Sequence, residues 1–222
     1  MPAPRKLDRV TIERALLKDV VRDRLRDAIM DGTFEAGEIL RDADLVEWFG
    51  VSRTPVRDAI NDLTRIGLID TAPNRYTRVA QRRKSDIAPA LRALSILHGG
   101  SALLTVPSVD DDDRATLHHA STDLASALSA SDSEATARAF IQLFDSLLRF
   151  TPNQIFRDRV ADAVDGLYFR VPLNQAVQSL AAARRNALSD ANDAFAAALA
   201  DHDGQRARDA VEAMHAALLP ER

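Results

Sequence analysis

Apolar residues recur at three- and four-residue steps along most of this chain, so the helical period dominates its pattern. Leu17, Val21, Leu25, Ala28 and Ile29 mark a helix over about residues 11–31, closed by Gly32. "TFEAGEIL" connects it to the next element, with Gly37 permitting a turn. A short helix over about 42–49 follows, with Asp42 as N-cap and Leu45, Val46 and Phe49 on one face. Gly50 breaks it and Val51 plugs the turn. A third helix turns Val56, Ile60, Leu63 and Ile66 inward and ends at Gly67. Ser52 or Thr54 caps it, and Pro55 sits in its first turn, where a missing N–H costs nothing. The period then shortens: "LIDTAPNRYTRVA" reads as two β-prone runs around a Pro-Asn turn, a small hairpin. Three helices and a hairpin predict a winged helix-turn-helix domain over residues 1–80.

"QRRKSD" (81–86) is a charged linker, and the helical period returns at once for a second domain over 87–222. Its helix candidates are 86–98, 109–130, 133–150, 153–169, 174–200 and 204–219. Breaks are read at Gly99-Gly100, Pro107, Ser131, Pro152, Pro172 and Asp203-Gly204. No strand pattern and no internal repeat emerges, so this part is an all-α bundle. The fold class is mostly α: an N-terminal winged helix-turn-helix plus a C-terminal helical bundle.

Composition narrows the class. With 222 residues and 46% hydrophobic positions the chain can bury a real core, and without cysteine it holds no disulfide or thiolate metal site. The start, "MPAPRKLDRV", lacks the apolar stretch of a signal peptide, and no run approaches the length of a membrane span. The expectation is a soluble cytoplasmic protein with no membrane partner. Residues 1–84 hold 17 of the 29 Lys+Arg and 14 of the 33 Asp+Glu, a net +3, which leaves −7 for the remainder. A basic head on an acidic body suits nucleic acid as the head's partner.

In "GVSRTPVRDAINDLTRIGLI", Arg53 and Arg57 are four residues apart and so share a helix face opposite the Val56/Ile60/Leu63 stripe. Arginine forks can read guanine N7 and O6 in the major groove, while Ser52 and Thr54 suit phosphate oxygens. Catalytic chemistry has no such foothold. "HGGSA" lacks an accompanying G-x-S-x-G, and there is no phosphate loop or dinucleotide fingerprint, so the chain is not read as an enzyme. His118 and His119 are adjacent and point apart, His98 sits at a helix end before Gly99, and His202 lies in an interhelical turn. "SVDDDDRATL" is a helix start whose acids favour the dipole.

Residues 16–80 resemble the DNA-binding domain of the GntR family of bacterial transcription regulators. "VVRDRLRDAIMDGTFEAGEIL" resembles its first helix and glycine turn, and "LVEWFGVSRTPVRDAINDLTRIGLI" its helix-turn-helix. The resemblance implies that Ser52, Arg53, Thr54, Pro55 and Arg57 meet double-stranded DNA. Many members have an arginine early in the second helix where this chain has Ala43, and Arg41 is the substitute. The family's wing tip, P-x-R-G, is here Pro73-Asn74-Arg75-Tyr76, so Asn74, Arg75, Tyr76 and Arg78 are the wing candidates. The helical domain resembles the FadR-type branch with its FCD effector domain, which implies a homodimer that answers a small molecule, more a repressor than an activator. Many FCD domains hold a divalent metal through an Asp-x-x-x-His pair and two later histidines. Aligned by pattern, those positions are Ile141, Asp145, Asn192 and Met214, so no metal or other cofactor is expected. Arg92, Asp145, Arg149, Asn192 and His215 are the effector-site candidates implied by the same alignment. Two alternatives stay open: a constitutive regulator with a degenerate effector domain, and a helical small-molecule-binding protein without DNA function.

Overall fold

The computed structural model describes residues 9–73 and 75–220 and divides into two compact units between Arg82 and Arg83. The first unit begins with α1 (Arg9–Met30), whose Val21, Leu25, Ala28 and Ile29 are buried while Leu17 is 40% exposed, outside the core its spacing had placed it in. α2 (Asp42–Phe49) and α3 (Arg53–Arg65) follow. Between them Gly50 takes φ 64°, a left-handed conformation that glycine adopts without a Cβ penalty. Arg41 rather than Asp42 occupies the N-cap position of α2, and its side chain caps nothing. α3 buries Val56, Ala59, Ile60 and Leu63 against α1. Strands β1 (Ile69–Ala72) and β2 (Tyr76–Val79) form an antiparallel hairpin in the register Ile69 to Val79 and Ala72 to Tyr76. Ile39 bridges Arg78 from the other side, which the alternation in "TFEAGEIL" did not announce.

The second unit is helical throughout its described residues: α4 (Lys84–Thr105), α5 (Asp111–Ser129), α6 (Ser133–Arg149), α7 (Gln154–Arg170), α8 (Leu173–Gln178), α9 (Ala182–Ala200) and α10 (Gly204–Leu218). Asp110, Asp132, Asn153 and Asp203 each accept a backbone N–H at a helix start, so four entries are capped by side chains. The acidic run is such a start, with Asp110 Oδ1 taking the Asp113 N–H at 2.9 Å.

Three expected boundaries are wrong. α4 begins at Lys84, inside the segment read as linker. It runs straight through Gly99-Gly100, because these glycines make room for neighbours and do not end the helix. A Cβ on Gly100 would lie 3.0 Å from Phe156 Cζ, and one on Gly99 3.3 Å from Glu212 Cγ. The single helix expected over 174–200 is two. Leu173 and Val177 bury α8 against α6, whereas Leu188, Ala191 and Phe195 belong to a helix packed on α5 and α10. One straight helix cannot present both faces, so the chain turns through Ser179, Leu180 and the extended Ala181. α4 is also long and apolar enough by composition to cross a membrane, contrary to the expectation that no run reaches that length. Its Ala90, Leu91, Leu94 and Ala102 are buried within the unit, as in a core helix.

Candidate nucleic-acid interface and the helical core

α3 starts with a bare N-terminus. Ser52 occupies the N-cap position with extended backbone (φ −72°, ψ 166°), but its side chain does not cap the helix, and no acidic residue lies in the first turn. The N–H groups and the positive end of the helix dipole are therefore left for an outside anion. Ser52, Arg53, Thr54 and Arg57 are all exposed around that end. Arg57 is 72% exposed, and its Nε stands 3.6 Å from Asp42 Oδ2, which brings the start of α2, with exposed Arg41, beside the start of α3. Lys18 Nζ reaches Asp62 Oδ2 at 2.6 Å and fixes α3 on α1. Neither ion pair was foreseen, because each joins residues that no local periodicity relates.

Three of the expected contact residues are committed elsewhere. Pro55 is buried in the first turn of α3 and shapes the helix start from inside. Arg78 folds back over the wing: its guanidinium stacks 4.3 Å from the Tyr76 ring centre, and Nη2 lies 3.5 Å from Asp70 Oδ2. Its Nε is buried without a hydrogen-bond partner among the described residues. Tyr76 is half-buried beneath it, Arg75 stays exposed at the turn, and Asn74 lies outside the described residues. With tyrosine where the wing usually has glycine, Tyr76 and Arg78 serve each other.

In the helical unit the effector candidates do not form one pocket. Arg92 is exposed on α4. Asp145 and Arg149 line an outer groove of about 470 Å³ with Thr116, Arg138, Ile141 and Gln142. Although Asp145 as a residue is exposed, its carboxyl is pushed up to about 6, by desolvation first and the nearby Asp165 charge second. Asn192 is buried and paired reciprocally with Ser121, whose Oγ donates to Asn192 Oδ1 at 3.0 Å while Asn192 Nδ2 donates to the Ser121 carbonyl at 2.9 Å. That pair pins α9 to α5.

His215 lies at the centre. Its Nδ1 is 2.8 Å from the Val211 carbonyl, which can only accept, so Nδ1 carries the proton and Nε2 is free to accept. His98 Nδ1 then donates to that Nε2 at 3.0 Å, and the Tyr168 hydroxyl, 3.5 Å away, faces His98 Nε2. His98 is thus a buried mid-helix residue and not the helix end read from Gly99. Phe144 stacks on His98 at 4.4 Å, and Phe140 and Phe144 sit 5.2 and 4.9 Å from His215. The α6 positions that face His215 at i, i+4 spacing are therefore Phe140 and Phe144. Ile141 and Asp145 are one residue further on, about 100° round the helix. The α6 positions against His215 carry phenyl rings, and Ile141 and Asp145 do not face it. Met214 is buried beside the cluster, and among the described residues no three His, Asp or Glu side chains converge.

A bare helix start flanked by exposed arginines and followed by a wing defines a winged helix-turn-helix of the DNA-binding class. Residues 17–79 match the family model described as bacterial regulatory proteins, gntR family, so the N-terminal unit is similar to the DNA-binding domain of those regulators. A curated relative, the probable D-xylose utilization operon transcriptional repressor of Paenarthrobacter nicotinovorans, is 31% identical over 88 residues, which are 40% of this chain and 39% of that protein. This chain therefore spans about two-fifths of that relative's length. Among solved structures, E. coli McbR/YncC superposes with a TM-score of 0.65 at 20% identity, covering 90% of this chain and 93% of its own. A GntR transcriptional regulator from Rhodococcus sp. RHA1 does so with 0.63 at 22%, covering 91% and 97%. At such identities the likeness is one of fold, and it extends over the helical unit as well.

Proposed function

We propose that this chain is a cytoplasmic, DNA-binding transcriptional regulator that reads a palindromic operator as a homodimer. The observation that carries the reading is the uncapped, acid-free start of α3, with Ser52, Arg53, Thr54 and Arg57 exposed around it. In this reading α3 enters the major groove, Arg53 and Arg57 read base edges, and Ser52, Thr54, Arg41 and Arg75 hold phosphates. Two heads related by a twofold axis would meet half-sites about one helical turn apart. The matched relative's name, an operon repressor, supports repression as the sign.

The helical unit is read as an FCD-type dimerisation and effector domain that holds no divalent metal. Support comes from its core: the His98–His215 pair is closed by Val211 and Tyr168, and Phe140 and Phe144 fill the facing positions. The facing α6 positions offer phenyl rings in place of ligating side chains, which also favours the second reading, a regulator constitutive towards metal-held carboxylates. Selection of random duplex DNA on the full chain at two salt concentrations tests the proposal. An enriched inverted repeat whose binding weakens steeply with salt is the expected result. Recovery of no motif at either salt would reject it.

A further inference from the structure

The break between α8 and α9 opens a groove of about 620 Å³ on the helical unit, and nothing in the core cluster reaches it. Its walls are mixed but mainly apolar: Ile87 from α4, Pro172 and Ala176 at α8, Leu180 in the break, and Leu218 and Leu219 at the end of α10, with the polar Gln175 and Ser179 beside them. One cation stands among them. Arg184 Nη2 donates to the Ala216 carbonyl at 2.9 Å, which holds the guanidinium in place while leaving the rest of its fork unused by that bond. No carboxylate of the described residues pairs with it. A volume of this size, mostly apolar with one oriented charged group, has the make-up of a small-molecule site.

We infer that this groove binds an amphipathic anion, a single negatively charged head on an aliphatic body, with the head on Arg184 and the body against Ile87, Ala176, Leu180 and Leu218. The charge sets the sign of the head, because a guanidinium beside apolar walls gains most from a charged acceptor that takes two of its N–H groups. The walls set the body, since Gln175 and Ser179 are the other polar side chains of the lining and the remaining residues offer carbon. The site differs from the central core in every residue. It rests on the reading of the chain as a regulator for its consequence alone: Ile87 is the fourth residue of α4, so an occupant touches the first turn after the segment that leads from the DNA-binding unit.

The test is calorimetric titration of the full chain with decanoate, kept below its micellar concentration, beside decanol and decyltrimethylammonium. Saturable decanoate binding, about tenfold or more tighter than either control, is expected. Arg184→Gln should bring decanoate down to the level of decanol without changing decanol itself. Ala176→Phe, which fills the groove from a half-exposed position and leaves Arg184 in place, should abolish both. Equal affinity for decanoate and decanol, or decanoate binding unchanged in both variants, would overturn the assignment. Operator binding by the ligand-free wild-type chain is measured in parallel. If the wild-type chain binds operator while decanoate fails to bind it, the groove is wrong and the regulator stands; if the ligand-free wild-type chain binds no operator, the regulator reading fails whatever the titration shows.

Discussion

His98 and His215, 117 positions apart in the sequence, share one hydrogen bond of 3.0 Å at the centre of the helical unit. Both rings are buried against phenyl groups, and burial holds His98 well below the ordinary histidine value and His215 at about 4. The pair ties α4 to α10 as neutral imidazoles, so acid works against it.

Stability should therefore fall as pH drops. An unfolded histidine protonates near 6.5, whereas these two resist it, so the unfolded chain binds more protons below that value. Their contribution is complete above about 6.5 and is lost downward, for His215 until about 4, at up to about 1.4 kcal/mol per pH unit for each ring. Asp145 acts in the opposite sense, because its raised value of about 6 lets the folded chain take up a proton first. Two histidines outweigh one exposed carboxyl. Thermal unfolding from pH 7.5 to 4.5 should show a steep decline, and the double variant His98→Phe, His215→Leu should flatten it. An equal slope in that variant would place the acid sensitivity elsewhere.

Glycine substitutions should separate by what their Cβ meets. Gly204→Ala would put a methyl 2.7 Å from both the Leu103 carbonyl oxygen and Pro107 Cγ, neither of which can yield cheaply. A loss of about 1–3 kcal/mol in denaturant unfolding is expected. Gly100→Ala meets Phe156, the end of a side chain that can swing, and regains up to about 1 kcal/mol of helix propensity. It should be near neutral.

Asn192→Leu should cost about 1–3 kcal/mol, since it takes the acceptor from the buried Ser121 hydroxyl and removes the side-chain bond to the Ser121 carbonyl. Ser121→Ala removes only the hydroxyl and should cost less. Chemical denaturation of both variants gives the comparison.

Asp42→Ala should leave stability within about 1 kcal/mol, because its pair with Arg57 is exposed. It should tighten operator binding at low salt, by freeing Arg57 and removing a negative charge beside the phosphate path. Fluorescence anisotropy on duplex DNA reads this directly.

The winged unit was legible in the sequence because its punctuation is local. Gly50 and Gly67 take φ of 64° and 79° where the pattern ends its helices. The helical unit was legible as helices but not as a site. Gly99-Gly100 looks like a break until the Phe156 and Glu212 that pack on it are known. The turn at Ser179 to Ala181 contains the best of helix formers and is imposed by what α8 and α9 each bury. Spacing alone does not tell that Phe144, and not Asp145, faces His215, since one residue is about 100° of direction on a helix. Arg78 was expected to reach outward, and only the wing's own Asp70 and Tyr76 explain why it does not.

The most direct measurement is equilibrium binding of the selected operator by wild type, Arg53→Ala and Arg57→Ala across a salt series. Each variant should lose about 1–3 kcal/mol on the operator, with less loss on unrelated duplex, and binding should weaken steeply with salt. Unchanged curves for both variants would mean that α3 does not read the groove, and the regulator proposed here would lose its reading head.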